Sequence, residues 1–270
     1  MTNRINQKFQ ELKKKKEKAL IFYLTVGYPD VPIFIKLVDV LEKSGADLIE
    51  LGIPFSDPVA DGLTIQRTSQ EALKQKISLK KSFSLAGNLA GNVNIPLVFM
   101  TYYNPVYRYG LKNFAYSCAE NYVDGVIIPD LPPEEATPLN SVLKKYNVNL
   151  IFLIAPTSPE KRIEMISKQS RGFIYYVSLT GVTGAREKLP RTIKLSLSKI
   201  RRFTEKPICV GFGISKPSQA REIGKYSDGI IIGSALLKIV EKYKDNEKIL
   251  FREVKKFVSG MKEALKKNDL

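Results

Sequence analysis

The sequence predicts an α/β protein, a single (β/α)8 TIM barrel with an extra helix at each end. Three observations predict it. Eight short segments rich in Ile, Val, Leu, Phe and Tyr recur along the 270 residues, each followed by a stretch of helical period. Those segments are apolar at nearly every position, as strands covered on both faces require. No glycine-rich dinucleotide fingerprint follows the first of them, which weighs against an open doubly wound sheet. Periodicity alone does not show closure, so the open sheet stands as the alternative. The length suits one barrel, and one domain over residues 1–270 is expected.

Residues 3–18 carry Ile5, Phe9 and Leu12 at helical spacing and predict a leading amphipathic helix that covers part of the barrel. Ala19 to Val26 (ALIFYLTV) is the first strand, stopped by Gly27-Tyr28-Pro29-Asp30, and Ile33 to Lys43 is the helix after it. The alternation continues with a strand at Asp47 to Leu51, helical segments from Leu63 to Ala90, and a strand at Pro96 to Thr101. A helix at Leu111 to Asn121, a strand at Gly125 to Pro129 and a helix at Pro133 to Tyr146 follow. The remaining strands are Leu150 to Ile154, Phe173 to Val177, Pro207 to Val210 and Gly229 to Ile232, with helices starting near Pro159, Thr192, Pro217 and Ser234. Lys248 to Lys267 closes the chain as a basic amphipathic helix packed on the outside.

In such a barrel the functional groups belong at the C-terminal ends of the strands and in the loops behind them. Three carboxylates stand in one such junction: Glu50 near the end of its strand, then Asp57 and Asp61 in a loop shaped by Pro54, Pro58 and Gly62. Singly, each has an ordinary reading as a helix cap or a solvated strand end. Together they are candidate acid–base groups. The other junctions hold Tyr23 and Thr25, then Tyr102, Tyr103 and Asn104, then Asp130, then Tyr175 and a long segment from Ser178 to Pro190 that could act as a lid. The last two junctions, Gly211-Phe212-Gly213-Ile214-Ser215 and Gly233-Ser234, combine glycines with a serine at a helix start. Backbone N–H groups there suit a phosphate, although caps and tight turns use the same residues.

Composition removes several classes. With no histidine in the chain, a Ser/His/Asp triad, a histidine base and histidine metal sites are excluded, and proton transfer falls to carboxylates, tyrosines or lysines. Cys118 and Cys209 are far apart in apolar surroundings, so neither a disulfide framework nor a metal-ligand spacing exists. The sequence lacks a long apolar run and a secretory leader pattern, and a cytoplasmic protein is expected, with a plastid stroma as the alternative. The formal charge of +16 suggests an anionic partner. Apart from Lys13 to Lys16, however, the cations scatter over helical faces without interleaved aromatics, so no nucleic-acid surface is expected and none for a membrane.

The motifs themselves carry a resemblance. LIELGIPFSDPVADG from Leu48 to Gly62, MTYYNP from Met100 to Pro105, GVTG from Gly181 to Gly184, GFGIS from Gly211 to Ser215 and Gly233 to Ala235 occur in the order and spacing of the tryptophan synthase alpha chain family, which the sequence resembles over essentially its whole length. The resemblance implies a retro-aldol lyase that cleaves indole-3-glycerol phosphate to indole and glyceraldehyde 3-phosphate in tryptophan biosynthesis. It implies that Glu50 shuttles the proton and that Asp61 supports the charge on the indole nitrogen. Tyr175 and Thr183 would orient substrate and lid; Gly184, Gly211, Gly213, Gly233 and Ser234 would hold the phosphate; Tyr23, Met100, Phe212 and Ile232 would wall the indole. Tyr23 stands where the family often has Phe, which leaves its hydroxyl without an inherited role. The resemblance further implies a beta-chain partner in an alpha2-beta2 heterotetramer, met through Asp57, Pro58, Tyr102 and Asn104. Pyridoxal phosphate would belong to that partner, with no cofactor and no metal in this chain.

Overall fold

The computed structural model describes residues 2–177, 189–211 and 213–266, with the side chains of 189–191 excepted. Its strands are β1 (Ala19–Thr25), β2 (Leu48–Gly52), β3 (Leu97–Met100), β4 (Val123–Ile127), β5 (Asn149–Ile151), β6 (Leu153–Ile154), β7 (Ile174–Val177), β8 (Ile208–Gly211) and β9 (Gly229–Ile232). The helices are α1 (Arg4–Lys14), α2 (Val31–Lys43), α3 (Leu63–Lys74), α4 (Leu79–Ala90), α5 (Tyr103–Tyr109), α6 (Leu111–Glu120), α7 (Thr137–Lys145), α8 (Glu160–Gln169), α9 (Leu189–Arg201), α10 (Pro217–Gly224), α11 (Ser234–Tyr243) and α12 (Glu247–Lys266). All pairings are parallel, in the order β5-β4-β3-β2-β1-β9-β8-β7-β6. The two ends of that order, β5 and β6, are one stretch of chain broken only at Phe152. Its first half pairs with β4 and its second with β7, and the Phe152 carbonyl accepts from Tyr175 N–H at 3.1 Å. The sheet therefore closes on itself, and the expected fifth strand is this divided one.

Two apolar layers follow from the alternation of side chains along each strand. Leu20, Phe22, Leu24, Ile49, Leu51 and Phe99 point outward and pack beneath the helices. Ile21, Leu48, Val98, Ile127, Ile151 and Ile231 point inward and fill the barrel. The predicted leading helix is α1, shorter than residues 3–18 because Lys15 ends it and Lys16 takes a left-handed φ of 55°. Its buried Ile5, Phe9 and Leu12 join the inward layer, so α1 stoppers the N-terminal mouth. The Asn3 side chain fixes it there, capping Ile5 N–H at 2.9 Å and donating to the carbonyls of Asp124 and Asn147 at 2.8 and 2.7 Å.

Two further departures bear on the C-terminal face. The helical stretch from Leu63 to Ala90 is two helices, parted by a turn at Gln75 to Ser78 in which Lys76 has φ 59° and Ser78 caps α4. The segment after β3, expected as a loop, contains the short helix α5, because the Asp130 carboxylate accepts Tyr103 N–H at 2.9 and 3.1 Å and so caps it from the next junction. Among the described residues no helix is long and apolar enough to cross a membrane.

Candidate active site

At the C-terminal mouth the barrel opens into a cavity of about 840 Å³, counting the part open to solvent. Its wall includes Tyr23, Glu50, Asp61, Met100, Tyr175, Gly213, Gly233 and Ser234, all singled out by the sequence. Ile65, Ile214, Ser215, Ile231, Ala235 and Lys238 are the other described residues that line it.

Glu50 sits mid-barrel in register with Tyr23 of β1 and Val98 of β3, with no exposed surface. Neither carboxylate oxygen has a hydrogen-bond partner among the described residues. A buried carboxylate without donors favours its neutral form, and burial pushes the Glu50 pKa up to about 8. Asp61 lies in the loop behind β2, where burial raises it to about 6 against the hydrogen bond it receives from Tyr102. Near neutral pH the first is an acid that still holds its proton, and the second is an anion. Two carboxyl groups whose raised pKa values lie on opposite sides of neutrality can divide acid and electrostatic work between them.

Tyr102 was expected at a partner surface, and the structure places it elsewhere. It is 4 % exposed, its ring stacks on Phe55 at 5.1 Å, and its hydroxyl accepts from Ala60 N–H at 3.0 Å while donating to Asp61. It braces the loop that carries Asp61. Asp57 and Asn104 are exposed and Pro58 half-buried, on the rim beside the strongly exposed Val59, Leu63 and Tyr107.

Both cavity tyrosines lie across glycines. A Cβ at Gly52 would overlap the Tyr23 hydroxyl, and one at Gly211 would overlap that of Tyr175. Gly211, expected at the phosphate, thus gives room to a phenol, and of that loop it is Gly213, whose φ of 76° suits glycine, that lines the cavity. Thr25 and Thr68 share a hydrogen bond of 2.7 Å between their hydroxyls, and because Thr68 donates to the Ile65 carbonyl at 2.9 Å, Thr25 is the donor to Thr68.

Ile232, expected against the indole, belongs to the outer layer; Ile231 lines the cavity. The parity is set at Gly229, where a Cβ would meet Ala19 and Cys209 inside the barrel, which turns residues 231 and 233 inward as well. Thr183, Gly184 and Phe212 lie outside the described residues, as does the candidate lid apart from its last two residues, Leu189 and Pro190, which begin α9.

The two helix starts differ. At α10 the Gln219 side chain turns back and accepts from the N–H groups of Ser215 and Lys216 at 2.9 and 3.1 Å, and Pro217 has no N–H to offer. At α11 the cap residue is Gly233, with no side-chain cap and no acidic residue in the first turn, and Gly233, Ser234 and Ala235 all face the cavity. The first-turn N–H groups and positive dipole end of α11 are available to an anion; those of α10 are largely consumed. Among the described residues no cluster of His, Cys, Asp or Glu could hold a metal ion.

The family model described as tryptophan synthase alpha chain matches residues 9–266. The chain belongs to the tryptophan synthase alpha chain family. It is 48 % identical to the tryptophan synthase alpha chain of Dehalococcoides mccartyi over 92 % of this chain and 95 % of that one, and 47 % identical to that of Aquifex aeolicus over 96 % and 99 %. The crystal structure of tryptophan synthase subunit alpha from Legionella pneumophila superposes with a TM-score of 0.92 at 33 % identity, covering 99 % of this chain and 100 % of that one. The alpha-chain reaction is the carbon–carbon lyase step that the sequence motifs implied, cleavage of indole-3-glycerol phosphate in tryptophan biosynthesis, and membership implies a beta-chain partner. Of the residues that line the cavity, sequence reasoning missed Ile65 and Lys238, which lie within helices beyond the strand ends, and Ile231, in whose place it named Ile232. The signal for Lys238 was its place four residues after Ser234.

Proposed function

We propose that Glu50 carries both proton transfers of the cleavage and that Asp61 supports the cation between them. The observation that carries this is a fully buried Glu50 carboxyl with no partner, opening onto the same cavity as an Asp61 of lower pKa. Neutral Glu50 gives its proton to indole C3, which leaves a positive charge on the ring nitrogen. The Asp61 carboxylate accepts the N–H hydrogen bond and stabilises that charge. The Glu50 carboxylate then takes the proton of the hydroxyl on the carbon attached to C3. The C–C bond breaks, its electrons return to the ring, and indole and the aldehyde separate with Glu50 protonated again. Met100, Ile65 and Ile231 supply the apolar wall for the ring, and the open start of α11 takes the phosphate.

The beta chain docks on the rim that carries Asp57, Pro58 and Asn104, where Val59, Leu63 and Tyr107 are 83 %, 80 % and 66 % exposed. Exposed apolar groups beside a polar rim suit a permanent partner surface. The assembly is an alpha2-beta2 heterotetramer in the cytoplasm, with pyridoxal phosphate held by the beta chain and no cofactor here. The test is indole release from indole-3-glycerol phosphate by the chain alone and with its beta chain, for the wild type and Glu50→Gln. Release that falls by at least about 100-fold in the variant is expected. Near-normal turnover by Glu50→Gln would overturn the assignment of the shuttle.

A further inference from the structure

The phosphate end of the cavity contains one full positive charge that the motifs do not account for. Lys238 lies one helical turn after Ser234 on the same face of α11, and its side chain forms part of the cavity wall. Lys238 is exposed and also borders a groove with Lys242, but side chains in an α-helix lean toward the N-terminus, so its ammonium can reach back toward Ser234 and the uncapped N–H groups. Among the described residues Lys238 has no hydrogen bond and no ion pair. Its neighbours differ: Lys242 lies over the Tyr243 ring at 4.9 Å, Lys244 pairs with Glu71 at 3.0 Å, and Arg67 pairs with Glu241 at 2.7 Å. A lysine close to a helix N-terminus repels the positive end of the dipole unless an anion lies between them. The unpartnered, fully buried Glu50 opens onto the same cavity, so the exposed helix start at Ser234 borders a ligand site.

We propose that Lys238 is the cation of the phosphate subsite, closing over the phosphate from the side opposite the backbone N–H groups of Ser234 and Ala235. The proposal rests on the reading of this cavity as the indole-3-glycerol phosphate site. A phosphate monoester carries between one and two negative charges near neutral pH. Backbone dipoles equivalent to about half a charge do not balance it, and an ammonium one turn along does. Because the phosphate does not react, this contact is made equally in the bound substrate and in the transition state. Lys238 is thus a positioning and specificity residue, read in KM and not in kcat.

The experiment uses the chain with its beta partner, and compares wild type, Lys238→Ala, Lys238→Arg and Lys242→Ala at two ionic strengths, with inorganic phosphate as a competing probe. Expected for Lys238→Ala are a KM for indole-3-glycerol phosphate raised about tenfold, inhibition by phosphate weakened in parallel, kcat within about twofold, and a flatter dependence of KM on salt. Lys238→Arg should recover most of the KM, and Lys242→Ala should leave it unchanged. A Lys238→Ala KM within about twofold of wild type overturns the proposal, as does an equal effect in Lys242→Ala, which would make it general surface charge. A wild-type complex that releases no indole overturns the reading of the cavity itself, an outcome separate from either of these.

Discussion

The carboxylates at the two mouths of the barrel are the same chemical groups put to opposite uses. At the N-terminal mouth Asp47, Asp124 and Asp228 each accept a backbone N–H of an adjacent strand and face a cation. Asp47 accepts from Leu20 N–H at 2.8 Å and meets Lys262 at 2.8 Å; Asp124 accepts from Leu97 N–H at 2.9 Å and meets Arg4 at 2.7 Å; Asp228 accepts from Ile208 N–H at 2.8 Å and meets Arg201. At the C-terminal mouth Glu50 has no partner among the described residues, and the Asp61 carboxyl receives a hydrogen bond from Tyr102. Burial raises the pKa of Asp47 and Asp124 too, but the lysine and arginine beside them oppose it, so these groups stay useful as anions. Among the described residues nothing opposes burial at Glu50. The difference teaches that a buried carboxylate is structural where its charge is answered and chemical where it is not.

The largest effect that would sharpen this contrast is on rate. Asp61→Asn keeps the shape and removes the anion that faces the indole nitrogen, so kcat should fall by about 100-fold or more, with indole release as the readout. The pH profile should change as well. In the wild type Asp61 must be ionised and Glu50 protonated, so activity falls as pH drops through about 6 and again as it rises through about 8. The variant should lose the acid limb and keep the alkaline one. If both limbs survive in Asp61→Asn, another group sets the lower one and the division of roles is wrong.

A second effect is on stability. The unfolded chain holds Glu50 near 4.5, and the folded chain near 8. Sign follows directly: a raised carboxyl opposes folding once pH exceeds the unfolded value, the penalty grows through the window, and it levels off above the folded value. Glu50→Gln cannot ionise, so its stability relative to wild type should improve by roughly 3 kcal/mol between about pH 5 and about pH 8 in urea unfolding. A difference that does not change with pH would mean that Glu50 is solvated in the free chain.

Much of this was legible in the residues. Eight apolar segments marked the strands because a covered parallel sheet needs no polar face, and the Leu48 to Gly62 block marked the carboxylates. What was illegible is what depends on register and on contacts distant in sequence. The uniform apolarity that reveals the strand from Gly229 to Ile232 hides its parity, and only the contact of Gly229 with Ala19 and Cys209 shows that Ile231, not Ile232, faces the cavity. The role of Tyr102 depends on a loop more than forty residues earlier folding back to offer Ala60 N–H and Asp61. The helix α5 depends on a cap from Asp130 in another junction. Strand ends direct attention to loops, so Lys238, a turn inside its helix, went unmarked.

The smallest effect tests the other mouth. Asp124 is a clamp with three bonds: it takes Leu97 N–H from β3 and both Arg4 nitrogens of α1 at 2.8 and 2.7 Å, while its own carbonyl accepts from the Asn3 side chain. Asp124→Asn retains an acceptor for Leu97 but loses the charge that Arg4 meets, and one amide N–H then points at a guanidinium. Hydrogen bonds to charged groups contribute about 1.5 to 3 kcal/mol, and Arg4 is partly exposed, so a loss of about 1.5 kcal/mol in urea unfolding is expected. Because α1 stoppers the mouth far from the cavity, kcat and KM for indole-3-glycerol phosphate should remain at wild-type values. A variant that keeps its stability but loses turnover would reverse the contrast, since an answered carboxylate at the N-terminal mouth would then be taking part in the chemistry at the other.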